Sequence, residues 1–188
     1  ITRTYTIKDA CNNPKIVTQI FTVTDNTKPT FTRPADLTIY KTSTCTYDAT
    51  VAITGDVTNE YDNCATGLQA TFSDVLNNSN IGKYIITRTW HLVDNCGNPA
   101  DDQVQTITIE DKTLPIAICK PITVNVDQVF TAAQINNGST DNCGIASYQL
   151  SKTSFNCSEV GNHNVILTVT DYNGNTANCT AVVTVSPT

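Results

Sequence analysis

Hydrophobic and polar residues alternate along residues 86–92, and the alternation stops at an Asp/Asn-rich stretch. Ile86, Trp90 and Leu92 fall on one face of an extended strand, whereas two threonines and a histidine fall on the other. A period of two residues is typical of a strand with one buried face, and the Asp-Asn-Cys-Gly-Asn sequence that follows is typical of a turn. The pattern therefore predicts a strand that runs into a β-hairpin.

The same unit recurs along the chain. Residues 1–14 match residues 86–99 at eight of fourteen positions, and residues 165–175 form a weaker third copy. A second repeated sequence, Asp-x-Thr-x-Pro, begins at Asp25 and again at Asp111. Repetition at this period indicates an array of similar domains. We interpret the chain as three parts: the C-terminal part of a truncated repeat (1–27), a complete repeat (28–113) and a second, shorter repeat (114–188).

Short strands fill both of the longer repeats, and no amphipathic helical pattern occurs. In the complete repeat the pattern predicts strands at 37–40, 50–53, 68–72, 84–93 and 104–109. The last repeat has the same order, with residues 129–135 as either a strand or a short helical turn. About six short strands per repeat, joined by Asn/Asp turns, predict an all-β fold of tandem immunoglobulin-like β-sandwich modules with short Asp-x-Thr-x-Pro linkers.

Charge and cysteine content narrow the class of protein. The formal net charge is −6 without a basic patch, which argues against nucleic acid as a partner. No apolar run approaches the roughly 20 residues of a membrane helix. Eight cysteines accompany only two histidines and form no Cys-x-x-Cys pair. Disulfides are therefore favoured over zinc sites, and they imply an oxidising, extracellular compartment.

Three sequence features together resemble the hyalin-type (HYR-like) immunoglobulin-like repeats. They are Asp-Asn-Cys at 62–64, the Ile-Thr-Arg-Thr-Trp strand with its Asp-Asn-Cys-Gly-Asn turn at 86–98, and Asp-x-Thr-x-Pro at 111–115. The resemblance covers essentially the whole chain. It is closest to repeats of large Bacteroidetes cell-surface adhesins of the gliding-motility type, exported by the type IX secretion system. One departure is the fourth cysteine that such repeats often carry near the third turn, where residues 77–80 stand here.

This resemblance implies a structural function in cell adhesion. The modules would be spacers of a long, multi-repeat extracellular stalk that projects a distal binding region from the cell surface. Their partners would be neighbouring repeats of the same chain, and the surface ligand stays unknown. The alternatives are modules that bind a glycan or a protein, and non-catalytic accessory modules of a secreted enzyme. Only Tyr61, Tyr148 and Tyr172 lie near loops as aromatic support for ligand binding.

The loop order of such a sandwich predicts how the cysteines of the complete repeat pair. The loop before the third strand and the loop after the central strand lie at one end, which predicts a Cys64–Cys96 bond. Cys45 lies at the other end, opposite the missing fourth cysteine, and is expected to be unpaired. Cys11 occupies the position of Cys96, so its partner is expected in the missing part of its own repeat.

The last repeat contains four cysteines. Cys119 begins its first strand and Cys179 lies in its last, so we expect these two to pair, which leaves Cys143–Cys157. All three pairings of four cysteines stay open from the sequence.

No residue pattern predicts catalysis, so we do not expect an enzyme. His91, His163 and the Asp101-Asp102 pair lack an accompanying nucleophile motif and an apolar setting that would shift a pKa. Arg88 shares the expected core face with Trp90. It is either a ligand-binding arginine or, as we favour, a structural one paired with a carboxylate such as Asp74.

Aspartates recur at each junction between repeats, in the linker and in the two loops that face it. Carboxylate, Asn and backbone oxygens from three segments could supply the six to eight ligands of calcium. Because Asp and Asn are also common turn residues, they could serve only to cap these loops. Calcium is the one candidate cofactor, with six candidate ligands: Asp25, Asp62 and Asp94 at the first junction, and Asp111, Asp141 and Asp171 at the second.

Overall fold

The computed structural model describes residues 1–187 and is nearly all β, which confirms the predicted fold class. The strands are β1 (Thr2–Lys8), β2 (Pro14–Ile20), β3 (Thr30–Thr32), β4 (Leu37–Tyr40), β5 (Thr58–Tyr61), β6 (Thr71–Asn77), β7 (Lys83–His91), β8 (Gln103–Glu110), β9 (Ile122–Asn125), β10 (Ile145–Leu150), β11 (Gly161–Asp171) and β12 (Thr176–Ser186). The helical elements are α1 (Val51–Thr54), α2 (Ala132–Ile135) and a 3₁₀ turn (Cys157–Glu159). None of the described helices has the length and apolar character needed to cross a membrane.

Two compact units account for the described chain. The first contains residues 1–33, 57–72 and 89–103, and the second contains residues 34–56, 73–88 and the chain from residue 104. The repeat boundaries expected after residues 27 and 113 stay a prediction.

The two four-stranded sheets have the same topology. Their strand orders are β4-β8-β7-β6 and β10-β11-β12-β9. In each sheet, the strand that comes first along the chain pairs in parallel with the strand that comes last: Leu37 of β4 lies opposite Ile107 of β8, and Ile122 of β9 lies opposite Val183 of β12. The hairpin β1-β2 and the pair β3-β5 form two smaller sheets. The sequence repeat is thus also a structural repeat.

Alternating burial follows the predicted period of two. On β11, Val165, Leu167 and Val169 are fully buried, and Ala181 and Val183 of β12 join the same core. On β7 the buried residues are Ile86, Arg88 and Trp90, and on β8 they are Gln105, Ile107 and Ile109. The face assigned to the core from sequence is therefore confirmed, including its arginine.

Arg88 is accommodated by a buried polar network. Its Nε and Nη2 donate to the two carboxylate oxygens of Asp74, each at 2.8 Å, and its Nη1 donates to Thr54 Oγ1 at 2.7 Å. Gln105 Nε2 donates to the carbonyl oxygens of Ala35 and Thr54. Buried polar groups are tolerated when their hydrogen bonds are made. The structural role expected for Arg88, with Asp74 as its partner, is confirmed.

Residues 50–53 were expected to form a strand, and this was wrong because they lie in and before the single helical turn α1. Thr54 Oγ1 donates to the carbonyl oxygen of Thr50, and Gly55 follows with φ +87°. In this turn the Thr54 hydroxyl donates to Thr50 and accepts from Arg88 Nη1, so the turn brings Thr54 into the network around Arg88. In the last repeat α2 occupies the corresponding place, which resolves the open choice for residues 129–135 in favour of a helical turn.

The described residues, 1–187, contain two disulfides. Cys119 is bonded to Cys179, the pair expected from the sequence, and the bond spans 60 residues. In the chain-entropy model a loop of this size contributes about 4 kcal/mol to stability. Cys45, expected to be unpaired, is bonded to Cys143.

The expected Cys143–Cys157 pairing was therefore wrong. The two residues lie at opposite ends of β10, Cys143 before the strand and Cys157 in the 3₁₀ turn beyond it. The expected Cys64–Cys96 bond is also absent, since both thiols are free and exposed. The Cys64 thiol lies beside the carboxylate of Asp25 and is not bonded to Cys96.

Trp90 provides a test of the strand face. Its side chain is 1% exposed, and its ring packs against Phe72 with the ring centroids 5.1 Å apart. Trp90→Ala is expected to lower the free energy of unfolding by about 3–5 kcal/mol, measured by denaturant unfolding. Tyr61→Ala, at an aromatic that is 66% exposed, is the control and should cost less than about 0.5 kcal/mol. A Trp90 variant as stable as this control would contradict the buried face.

Candidate functional site

The fold gathers the three aspartates of the first junction from separate segments. Asp25 lies in the linker after β2, Asp62 directly follows β5, and Asp94 lies in the turn after β7. One carboxylate oxygen of each lies within 4.8 Å of the others. Asp62 and Asp94 are buried, and Asp25 is half-buried. The structure therefore brings together all three residues predicted from sequence; we name them the first triad.

Two members of the first triad use one oxygen for the backbone and leave the other free. Asp25 Oδ1 accepts a hydrogen bond from the Thr27 amide at 3.0 Å, and Asp62 Oδ1 accepts from the amides of Cys64 and Ala65 at 2.8 Å. These contacts are the loop-capping bonds expected of aspartates in turns. The Oδ2 atoms of Asp25 and Asp62 are buried and have no hydrogen-bond partner. Loop capping therefore explains the position of Oδ1 in Asp25 and Asp62, but it does not explain why Oδ2 is buried.

Asp94 is held by its own hairpin turn. Its Oδ1 accepts from the amides of Cys96 and Asn98, and its Oδ2 accepts from Asn98 Nδ2 at 2.7 Å. Burial opposes ionisation most strongly, yet these hydrogen bonds together hold the pKa of Asp94 below its ordinary value. Asn98 Nδ2 also donates to the carbonyl oxygen of Asp25 at 3.1 Å, which ties the turn to the linker.

The second junction repeats this arrangement with Asp111, Asp141 and Asp171, the second triad, whose oxygens again lie within 4.8 Å of one another. Asp111 Oδ1 accepts from the Thr113 amide and Asp141 Oδ1 from the Cys143 amide, while both Oδ2 atoms are buried without a partner. Asn175 takes the place of Asn98. Its Nδ2 donates to Asp171 Oδ2 at 2.7 Å and to the carbonyl oxygen of Asp111 at 3.1 Å.

Three carboxylates at this separation repel one another when all are ionised. At an effective dielectric constant of about 20, each pair costs on the order of 3 kcal/mol. No lysine or arginine among residues 1–187 forms an ion pair with any of the six aspartates. These negative charges also act on the nearby Cys64 thiol, whose pKa is raised. The charge of Asp25 is the largest cause, followed by burial and by the charge of Asp62. The donor set is all oxygen, which suits a hard divalent cation.

The other residues considered from sequence have structural contacts. The His91 ring lies 2.7 Å from Asp102 Oδ1 on an exposed strand position, and Lys28 pairs with Asp101. His163 contacts the carbonyl oxygen of Glu159 and stacks on Phe155, with centroids 4.5 Å apart. Tyr61, Tyr148 and Tyr172 are each at least 40% exposed.

Sequence reasoning missed the asparagines that anchor the hairpin turns. An Asp followed four residues later by Asn occurs in all three copies of the unit, at Asp9, Asp94 and Asp171. In the first copy Asp9 accepts from Cys11 and Asn13, with the same contacts as in the other two. The repeated Asp-x-x-x-Asn spacing was therefore the available signal.

No family model and no curated protein matches this chain. Among solved structures, it is similar to human CDH23 EC21-23 at 13% identity, with a TM-score of 0.40 and coverage of 85% of this chain and 70% of that chain. It is similar to human Mucin-like Protocadherin EC1-2 at 11% identity, with a TM-score of 0.39 and coverage of 85% and 98%. It is also similar to the endo-fucoidan hydrolase MfFcnA4 from glycoside hydrolase family 107 at 10% identity, with a TM-score of 0.32. That match covers 100% of this chain and 34% of the hydrolase chain. Each TM-score is below 0.5, so these similarities carry no functional argument.

The first hairpin tests whether the Asp-x-x-x-Asn turn stands on its own. The hydrogen bond from the Asn13 side chain is the largest of the causes that lower the pKa of Asp9, ahead of the Asn13 backbone amide. Asn13→Ala is expected to raise the pKa of Asp9 towards its ordinary value of about 3.9, measured by carbon-13 NMR titration. Asn98→Ala, the same change in the second copy, should leave the pKa of Asp9 unchanged.

The sign of the pH effect follows from the lowered pKa. Because the folded-state pKa of Asp9 lies below the unfolded value, the turn adds stability above about pH 4 and loses it as the pH falls through the folded pKa. An Asp9 pKa that does not move in Asn13→Ala would contradict this account of the turn.

Proposed function

We propose that these modules are structural spacers of a long extracellular adhesin, and that calcium at the two triads stiffens the junctions between repeats. The spacer role rests on the repeated topology of the two four-stranded sheets. In repeat arrays each unit contacts mainly its neighbours, so the linkers set the mechanical properties of the chain. The triads sit at these linkers, since Asp25 and Asp111 are linker residues.

The observation that carries the calcium proposal is the set of buried oxygens without partners. Asp25, Asp62, Asp111 and Asp141 each leave Oδ2 buried and unbonded. More than nine in ten buried polar groups in proteins have a hydrogen-bond partner. These four carboxylate oxygens occupy equivalent positions in the two triads. Their shared lack of a hydrogen-bond donor supports a common ligand that accepts electron pairs from oxygen. A cation meets this requirement.

Calcium fits the donor set better than the other common divalent ions. Zinc prefers nitrogen and sulfur, and neither triad includes a histidine or a cysteine. Magnesium requires near-ideal octahedral geometry and usually retains several waters. Calcium accepts six to eight oxygens in irregular geometry, including carboxylates and backbone carbonyls from flexible segments. Three loop segments that each contribute one carboxylate are typical of such a site.

The aspartates of each triad would have different roles in holding the cation. When bound, calcium would neutralise the charge that the three carboxylates bring together. Asp94 and Asp171 are fixed by their hairpin turns, so they would provide the rigid side of each site. Asp25 and Asp111 would tie the linker to that side, alongside the asparagine bonds that already reach their carbonyl oxygens. The linker would then exchange conformations more slowly.

The extracellular location and the adhesin type are part of the same proposal. Two disulfides support an oxidising compartment. The HYR-like resemblance supports a cell-surface adhesin of the Bacteroidetes gliding-motility type with type IX secretion. The modules would have no catalytic role, and their nearest partners would be neighbouring repeats.

Thermal unfolding with calcium and with excess chelator tests the calcium proposal. With a dissociation constant of about 10⁻⁴ M, millimolar calcium should add about 1.4 kcal/mol of stability per site by mass action. Asp111→Ala and Asp141→Ala should each abolish the response of the second site and leave that of the first. Asp62→Ala should do the reverse. Hydrogen exchange of the Thr27 and Thr113 amides should slow in calcium.

Asp101→Asn is the matched control, because Asp101 is an exposed carboxylate near the first linker that pairs with Lys28 and belongs to neither triad. It should keep both calcium responses. An unfolding midpoint that is the same in calcium and in chelator would contradict the proposal. So would a response that survives in the Asp62→Ala/Asp141→Ala double variant, since calcium would then act elsewhere.

A further inference from the structure

A disulfide closes directly onto the second triad. Cys143 is bonded to Cys45 across 98 residues of sequence, and Cys143 is two residues from Asp141. The Cys143 amide is also the donor to Asp141 Oδ1, at 2.8 Å. The covalent bond therefore fixes the backbone group that orients a proposed ligand.

The other half of this disulfide lies in a tight loop, residues 41–46. The Thr42 amide donates to the carbonyl oxygen of Thr46 at 2.7 Å, and the Cys45 amide donates to that of Thr42 at 2.9 Å. Cys45 adopts φ +59°, in the left-handed region that residues with a Cβ rarely adopt. A loop built in this way presents the Cys45 sulfur in one direction.

Asn142 lies between this loop and the second triad. Its Nδ2 donates to the carbonyl oxygen of Thr42 at 2.9 Å and lies 3.4 Å from Asp111 Oδ1. Its Oδ1 is buried and has no hydrogen-bond partner. Because Asn142 Nδ2 donates to these two oxygens, the orientation of the side chain is fixed and Oδ1 is the atom without a hydrogen-bond partner. An amide oxygen is a common calcium ligand.

We propose that Asn142 Oδ1 is a fourth side-chain ligand of the second cation site, and that the Cys45–Cys143 disulfide positions it together with Asp141. This inference rests on the calcium proposal above and extends it. It makes the second site dependent on the oxidation state of Cys45 and Cys143, whereas neither of these two residues lies at the first site.

The first site lacks both features. Cys64 holds the position of Cys143 and is a free thiol. Asn63 holds the position of Asn142 but is exposed; both asparagines direct Nδ2 to the sulfur of the following cysteine, at 3.4 Å for Asn63 and 3.5 Å for Asn142. Its Oδ1 is not among the buried atoms without partners. The two sites thus share three carboxylates and differ in the fourth side chain and in the disulfide, which provides an internal comparison.

Calcium titration of the full chain by calorimetry tests the inference, with each site isolated in turn. Asp62→Ala leaves only the second site, and Asp141→Ala leaves only the first. In the Asp62→Ala background, Cys45→Ser/Cys143→Ser and Asn142→Ala should each weaken calcium binding by about 10–100-fold, the usual effect of removing a ligand or its support. Cys119→Ser/Cys179→Ser, which removes the other disulfide, is the matched control and should leave the affinity unchanged.

Asn142→Asp separates a ligand from a merely structural contact. It keeps an oxygen for the cation but loses the Nδ2 donor to Thr42. It should therefore bind calcium more tightly than Asn142→Ala, and equal weakening in both variants would overturn the ligand role. Because the added charge also attracts calcium without coordination, crystals of the unmodified chain grown with calcium must in addition place Asn142 Oδ1 about 2.3–2.6 Å from the ion; a longer distance would overturn the ligand role. In the Asp141→Ala background, Asn63→Ala should change the affinity of the first site by no more than about twofold.

The outcomes separate the two proposals. Absence of calcium binding in the unmodified chain would overturn the proposed function and this inference together. Calcium binding at both sites that is insensitive to Asn142→Ala and to loss of the Cys45–Cys143 bond would overturn the inference alone. If the double serine variant does not fold, as judged by circular dichroism, the Asn142 variants still decide, because they retain both disulfides.

Discussion

Repulsion among three carboxylates, two of them buried and one half-buried, is the constraint on which each triad depends. The aspartates come from a linker and two loops, so the backbone must hold like charges within 4.8 Å of one another. Four of the six aspartates use one carboxylate oxygen to cap their own backbone segment and leave the second oxygen buried without a partner among residues 1–187: Asp25, Asp62, Asp111 and Asp141. The same side chain therefore shapes the loop and creates the demand for a counter-charge. A divalent cation would satisfy that demand at both junctions.

The four-stranded sheets do not need a cation for their stability, because their cores are made of apolar residues or of polar residues whose hydrogen bonds are satisfied within the chain. The core of the last repeat is apolar, with alternate residues of β11 and β12 fully buried. The complete repeat instead buries Arg88 and Gln105, and both are satisfied by a network that includes Thr54 and Asp74. Val165 of the last repeat replaces Arg88 at the same position of the unit. The topology therefore tolerates either a polar or an apolar residue there, provided that the hydrogen bonds are made.

Local patterns predicted most of the fold, because strand alternation and Asp/Asn turns depend on neighbouring residues. The face of Trp90 followed from the period of two, and the grouping of the six aspartates followed from the repeated segments. Asp74 was named as an example of a carboxylate that could pair with Arg88. The errors concern contacts distant in sequence. Residues 50–53 were expected to form a strand, but a helical turn delivers Thr54 to Arg88. Cys143 pairs with Cys45 because the fold brings two loops 98 residues apart to a Cα separation of 5.0 Å, and no spacing along the chain encodes that proximity.

The most direct test of the central claim is anomalous X-ray diffraction from crystals grown with calcium. The account predicts one anomalous peak at each triad, with oxygens of all three aspartates about 2.3–2.6 Å from it. Asp25 and Asp62 at the first triad, and Asp111 and Asp141 at the second, should each contribute the Oδ2 atom that has no hydrogen-bond partner among residues 1–187. A well-ordered structure from millimolar calcium with no anomalous signal at either triad, and with hydrogen-bonded waters on those oxygens, would contradict it.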